Sequence, residues 1–215
     1  MDPFENKVTC LSDYVEKACA ERCANSIFRG VEDMAHRLLP PLGRTPRGSL
    51  VKEEEERAML ERFRQKGMPY VAEGARLSPG DWAALAYEHR LPGRLLAWTH
   101  LPLVALWHAC QGSIKVAGVV YVHPVGRLAE AKPADPLGGS RVSLLVPGCP
   151  LAGVAPGTVY TLHPNPRKEW APRSLLALRV SGLLKRHLRR DLERLGIDDA
   201  VVNPGLTGVA RALLR

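Results

Sequence analysis

Apolar residues recur at steps of four and three at Leu176, Val180, Leu184, Leu188, Leu192 and Leu195. That spacing places them on one stripe of a helix. Pro172 suits the first helical position, where its missing N–H has no partner to lose. Gly196 suits the end, where a left-handed residue closes the last turn. The pattern predicts one helix from Pro172 to Leu195. A second stripe, Val15, Cys19, Cys23, Ile27, Val31, Met34 and Leu38, predicts a helix over 12–39, capped by Ser12 and stopped by Pro40-Pro41. A third helix is predicted over 50–66. Glu53 to Glu56 lie on its first turns and complement the positive end of the helix dipole. Ser78-Pro79-Gly80-Asp81 carries a cap, a first-turn proline and an acid that can bond back to the cap, so a fourth helix is predicted over 78–90. An apolar helical stretch over 95–110 is broken near Pro102.

After Gln111-Gly112 the period changes. Residues 114–122 are rich in β-branched side chains and read as a strand or hairpin, with further strands at 142–146, 159–162 and 200–202. Tyr70-Val71-Ala72 reads as a short strand, and Thr207 as the cap of a terminal helix. The segments 41–49, 127–139 and 147–156 read as loops. Helices come first, and strands then surround one long helix. The expected class is α+β, with a helical domain over 1–100 and a mixed sheet and helix domain over 101–215. Trp82, Trp98 and Trp107 are expected in the core or at an interface.

Charge adds a direction. Between Arg167 and Arg194, nine Lys/Arg oppose three acids, giving six of the chain's eight net positive charges. Arg179, Lys185, Arg186, Arg189 and Arg190 are the expected RNA-binding residues, because phosphate backbone is the common partner of such a face. A solvated helix surface is the other reading of the same charges. Arginine outnumbers lysine 22 to 8 and Asn plus Gln total six, which fits either GC-rich coding or a hot habitat. No run of about 18 apolar residues is present to predict a membrane span. The amino terminus lacks the apolar core of a secretion signal, so a cytoplasmic location is expected. Cys19 and Cys23 fall on the helical stripe and read as small buried hydrophobes. A disulfide from Cys10 stays open.

Candidate chemistry is sparse. Val120-Tyr121-Val122-His123-Pro124 and Val159-Tyr160-Thr161-Leu162-His163-Pro164 each end a strand in a His-Pro step. Two such imidazoles could form an acid–base pair in RNA cleavage, or the step could simply end each strand. Glu130-Ala131-Lys132 matches a short element of metal-dependent nucleases, but Pro133 follows at once. No phosphate-cradling Gly-Lys-Ser/Thr loop is present. No cofactor and no metal site is expected.

The order of segments over 67–203 resembles the archaeal tRNA-splicing endonuclease subunits. The matching pieces are Gly67-Met68-Pro69-Tyr70-Val71-Ala72, Leu77-Ser78-Pro79-Gly80-Asp81-Trp82, the helix and turn from Val104 to Gly112, and the strands Ser113-Ile114-Lys115-Val116 and Val119-Val120-Tyr121-Val122. Gly139 to Val146 fills the place of the family's His-Ser-x-Tyr-Leu-Val strand, and Leu178 to Arg186 that of its basic helix. Catalytic subunits of that family use a Tyr, a His and a Lys. The resemblance places Tyr121, Gly139 and Arg186 at those positions. It therefore implies a non-catalytic subunit without catalytic residues, in a hetero-tetramer with a catalytic endonuclease subunit and precursor tRNA as partners. Glu130 and Asp135 would be interface residues. The rival readings are a stand-alone basic nucleic-acid-binding protein and a self-sufficient nuclease using His123 and His163.

Overall fold

Eight strands form one mixed sheet in the order β1-β8-β4-β2-β3-β7-β6-β5. They are β1 (Lys7–Val8), β2 (Ser26–Val31), β3 (Leu95–Thr99), β4 (Gly118–Pro124), β5 (Ala129–Glu130), β6 (Ser143–Leu145), β7 (Thr158–Leu162) and β8 (Leu176–Val180). The helices are α1 (Leu11–Ala18), α2 (Pro41–Arg44), α3 (Glu53–Gly67), α4 (Pro79–Glu88), α5 (Pro102–Ala109), α6 (Gly182–Arg194), α7 (Asp199–Val202) and α8 (Leu206–Leu213). The structure is a computed structural model that describes residues 6–45, 52–72, 75–132, 134–135, 137–151 and 153–214. Part of the expected loop at 41–49 and the expected helix start at Leu50 lie outside these residues. The β1–β8 and β5–β6 pairs are parallel and the other neighbours antiparallel.

The mixed α and β class holds, but the expected helical amino-terminal half does not. Strands β1, β2 and β3 all lie before residue 100. The helix expected over 12–39 ends at Ala18, and after a short 3-10 turn the chain enters β2. Asn25, with φ +50°, turns the backbone between them. The first part of the apolar 95–110 stretch is β3, and only its second part is α5, which starts on Pro102. The helix expected from Pro172 is strand β8 followed by α6. Residues 200–202 are helical, because Asp198 caps α7 by accepting from the N–H groups of Ala200 and Val201 at 2.9 and 3.0 Å. Thr207 lies inside α8, which starts after Gly205. Met68 to Tyr70 form a 3-10 turn, where a short strand was expected nearby. The capping box at Ser78 and Asp81 forms as its spacing predicts.

Cross-strand register assigns the core. Phe28, Val120, Val122, Leu178 and Val180 face α1, α5 and α6 in the largest apolar cluster. Tyr160, Leu162, Leu95 and Leu145 meet α4 in a second cluster that includes Trp82. The opposite face carries Ile27, Leu96, Trp98 and Val159, covered by Leu38 and Trp170. Trp82, Trp98 and Trp107 are all buried, as expected. None of the five cysteines is in a disulfide; Cys23 is buried, whereas Cys19 is exposed. Among the described residues no helix is long and apolar enough to cross a membrane.

Candidate functional site

The sheet nearly divides between β2 and β3. Their ladder has one register pair, Phe28 with Thr99, whereas β2 and β4 pair from Ser26–Pro124 to Val31–Val119. Beyond Phe28 the two strands part, and a cleft opens in the gap. Arg29, the next residue of β2, lies at its centre. Its Nη1 donates to the carbonyl oxygen of Ala97 on β3, so a side chain replaces part of the absent ladder. Its Nε is buried and has no acceptor among the described residues. An unsatisfied buried donor typically costs about 1–3 kcal/mol.

Two adjoining spaces share Arg29, Gly30, His108 and Asn203. The inner chamber has a volume of about 280 Å³, and Phe28, Tyr87, Glu88, Trp98, Thr99 and Val104 contribute to its wall. The outer space, about 500 Å³, brings together Arg29, Arg37, Arg44, Arg90 and Arg211, with Glu32 and Asp199 as its two acids. These arginines come from β2, the loop after it, the end of α2, the turn after α4, and α8. Arg37 is held by Glu169 at 2.8 Å, and Arg44 Nε donates to the Leu39 carbonyl at 2.7 Å. Arg90 and Arg211 are exposed at the rim.

Gly30 permits the close packing that builds this place. A β-carbon there would overlap the carbonyl oxygen of Ala105 and lie 2.7 Å from the backbone nitrogen of Ala109. Helix α5 therefore rests directly on the β2 backbone, and this brings His108 to the cleft.

The electrostatics follow from that packing. His108 is exposed where it lines both spaces, and protein atoms crowd the cleft around it. Desolvation, then the Arg29 charge, lower its pKa to about 4, with Asp199 opposing. The imidazole is neutral near pH 7. Desolvation raises the Glu88 pKa, opposed by the Tyr160 hydroxyl, which donates to Oε1 at 2.8 Å, and by His89 and Arg29. Burial, then Arg29, lower the pKa of Arg44. The cleft thus pairs a cationic mouth with an inner space holding one carboxyl group and one neutral imidazole.

The residues expected from sequence lie elsewhere. Lys185 is 1% exposed. Its ammonium donates to the carbonyls of Glu32, Gln111 and Ser113, tying α6 to two loops. Arg186 and Arg190 are exposed, Arg189 is half-buried near Glu193 at 3.9 Å, and Arg179 is exposed on β8. Glu130 is exposed on β5, and Asp135 bonds to Arg57 of the same chain at 2.9 Å.

His123 and His163 are brought near each other by packing against Trp170, with ring centroids 4.8 and 5.5 Å from it. Both are buried. His123 bonds to the Ser174 hydroxyl and His163 to the Thr161 hydroxyl, which also accepts from Trp98 Nε1. Burial, then Arg29, lower the His163 pKa to about 4. The unfolded imidazole binds a proton below about 6.5, whereas the folded one stays neutral until about 4. This group therefore makes stability rise between about pH 4 and 6.5 and adds no slope above that window. His163→Phe is expected to flatten the rise in urea midpoint between pH 4.5 and 7. An unchanged slope would assign the effect to other groups.

Sequence reasoning missed Arg29, Glu88 and His108. The available signal was an arginine inside the apolar run Ile27-Phe28-Arg29-Gly30-Val31, and a histidine inside the apolar run Leu106-Trp107-His108-Ala109. The tRNA-splicing resemblance also fails in space. Tyr121 packs with the cluster around Trp170, whereas α6, which carries Arg186, packs on the other face of the sheet. No curated protein and no solved structure matches the chain. Residues 24–117, from just before β2 to just before β4, match the FRG domain, so the chain is similar to that family and not to the tRNA-splicing endonuclease subunits.

Proposed function

We propose that this chain binds a phosphate-bearing small molecule in the cleft between β2 and β3. The observation that carries the reading is the gathering of Arg29, Arg37, Arg44, Arg90 and Arg211 from five segments around one space. Guanidinium groups suit phosphate because their N–H forks match its oxygens. The two spaces, about 280 and 500 Å³, compare with the roughly 300–1,000 Å³ of small-molecule sites.

A second reading is a basic surface for nucleic acid. It is favoured by the exposed Arg179, Arg186 and Arg190. It no longer includes Lys185, whose ammonium is fully engaged by carbonyls.

One titration experiment separates them. Inorganic phosphate and pyrophosphate, then a single-stranded RNA, are titrated into the full chain, Arg29→Ala, Arg90→Ala/Arg211→Ala and Arg186→Ala/Arg190→Ala. Charged hydrogen bonds contribute about 1.5–3 kcal/mol each, so Arg29→Ala is expected to weaken pyrophosphate binding about 10- to 150-fold. The rim pair should cause a smaller loss in a protein that folds normally. Absence of phosphate and pyrophosphate binding, or equal binding by both cleft variants, would overturn the cleft reading. RNA binding whose salt slope falls only in the α6 variant would support the surface reading instead.

A further inference from the structure

The inner chamber narrows the ligand class, on the premise that the cleft takes phosphate. We infer that the ligand is a nucleotide, with its phosphate among the outer arginines and its nucleoside in the inner chamber against Glu88. Three features carry this.

The spaces adjoin at Arg29, Gly30, His108 and Asn203, so a molecule that reaches past these residues would fill both. A free phosphate would leave the chamber unused. The chamber also differs in character from the mouth. Phe28 and Tyr87 contribute to its wall, and none of the outer arginines except Arg29 reaches it. Aromatic walls suit a flat ring far better than a small hydrated sugar phosphate.

Glu88 is the chamber's carboxyl group. Its Oε1 already accepts from Tyr160, and Tyr160 is braced edge-on against Tyr87, with centroids 5.6 Å apart at 71°. The carboxyl is thus fixed in orientation, and its second oxygen is left to accept from a ligand N–H or O–H. A nucleoside supplies such donors from its amino groups and ribose hydroxyls. A carboxylate facing ribose hydroxyls is a common arrangement in nucleotide sites. Asn203, shared by both spaces, adds an amide beside the throat.

Calorimetric titration tests this with inorganic phosphate, ribose 5-phosphate, and the four ribonucleoside 5′-monophosphates. At least one nucleotide is expected to bind tenfold or more tightly than either phosphate or ribose 5-phosphate. Glu88→Gln should lower nucleotide affinity tenfold or more while slightly raising that for phosphate, because it removes a negative charge from the cleft. Tyr160→Phe keeps the ring and loses the brace, and should lower nucleotide affinity by a smaller factor.

Thermal unfolding of each variant checks that the fold is intact. If Glu88→Gln does not fold, the Tyr160→Phe ratio of nucleotide to phosphate affinity decides. Nucleotides binding no more tightly than phosphate would overturn the inference while leaving the phosphate cleft standing. Loss of nucleotide and phosphate binding by the same factor in Glu88→Gln would also overturn it. Failure of phosphate itself to bind, with Arg29→Ala indistinguishable from the parent, would remove the premise instead.

Discussion

Glu56→Ala is expected to destabilise the protein by about 3–5 kcal/mol, the usual cost of leaving one member of a buried ion pair alone. Glu56 lies in the first turn of α3 and is 2% exposed. Arg94, just before β3, gives its Nε and Nη2 to one Glu56 oxygen at 2.9 and 2.7 Å. Its Nη1 reaches the carbonyls of Leu137 and Pro164, both at 3.4 Å. One guanidinium thus joins a helix and two loops. For a chain of this size each kcal/mol corresponds to roughly 2–4 °C in melting temperature, so a drop on the order of 10 °C is expected. Glu56→Met with Arg94→Met should recover much of the loss, because an apolar pair carries no stranded charge. A melting temperature within 2 °C of the parent for Glu56→Ala would show that water or Glu53 replaces the lost partner.

The second large effect is expected at Gly30. Overpacking a core typically costs about 1–3 kcal/mol, and the partners here are backbone atoms of α5 that cannot rotate away. Gly30→Val should therefore lie at or above the top of that range. It should also weaken pyrophosphate binding, since moving α5 moves His108. Gly126→Ala is the control: a β-carbon there meets nothing within 4 Å. A change of no more than about 0.5 kcal/mol is expected for that surface site. Equal urea midpoints for the Gly30 and Gly126 variants would contradict the close contact between β2 and α5.

Step length explains what the sequence did and did not disclose. Cys23, Ile27 and Val31 are four apart, and so are Leu176 and Val180. A step of four keeps residues near one face of a helix, but it is also two full periods of a strand. Both segments therefore looked helical and hold strands. The same step of four lies on a helix at Leu184, Leu188 and Leu192, so spacing alone did not separate the two.

Local chemistry was more legible. The Ser78–Asp81 box and the β-branched run at Val119 to Val122 showed in short stretches of sequence, and the expected break near Pro102 marks where α5 begins. The cleft was not legible, because it depends on where a ladder stops. In sequence Arg29 is one charge in an apolar run, and only the divergence of β3 beside it makes a cleft. The charge count was also misleading on its own. Lys185 contributes to the basic run, yet three carbonyls in distant loops draw it inward.

The single Phe28–Thr99 rung has a thermodynamic consequence. On the helical face each half of the sheet keeps its own apolar cluster, and the seam between β2 and β3 is crossed there by one ladder rung, while the Ile27, Leu96, Trp98 and Val159 cluster spans it on the opposite face. A ligand seated in that seam acts as a rivet between the halves. Mass action then adds RT ln(1 + [L]/Kd) to the unfolding free energy, about 2.7 kcal/mol at a hundredfold excess over Kd. Supply of the small molecule would set how long the two halves stay joined, and with it the resistance of the chain to proteolysis.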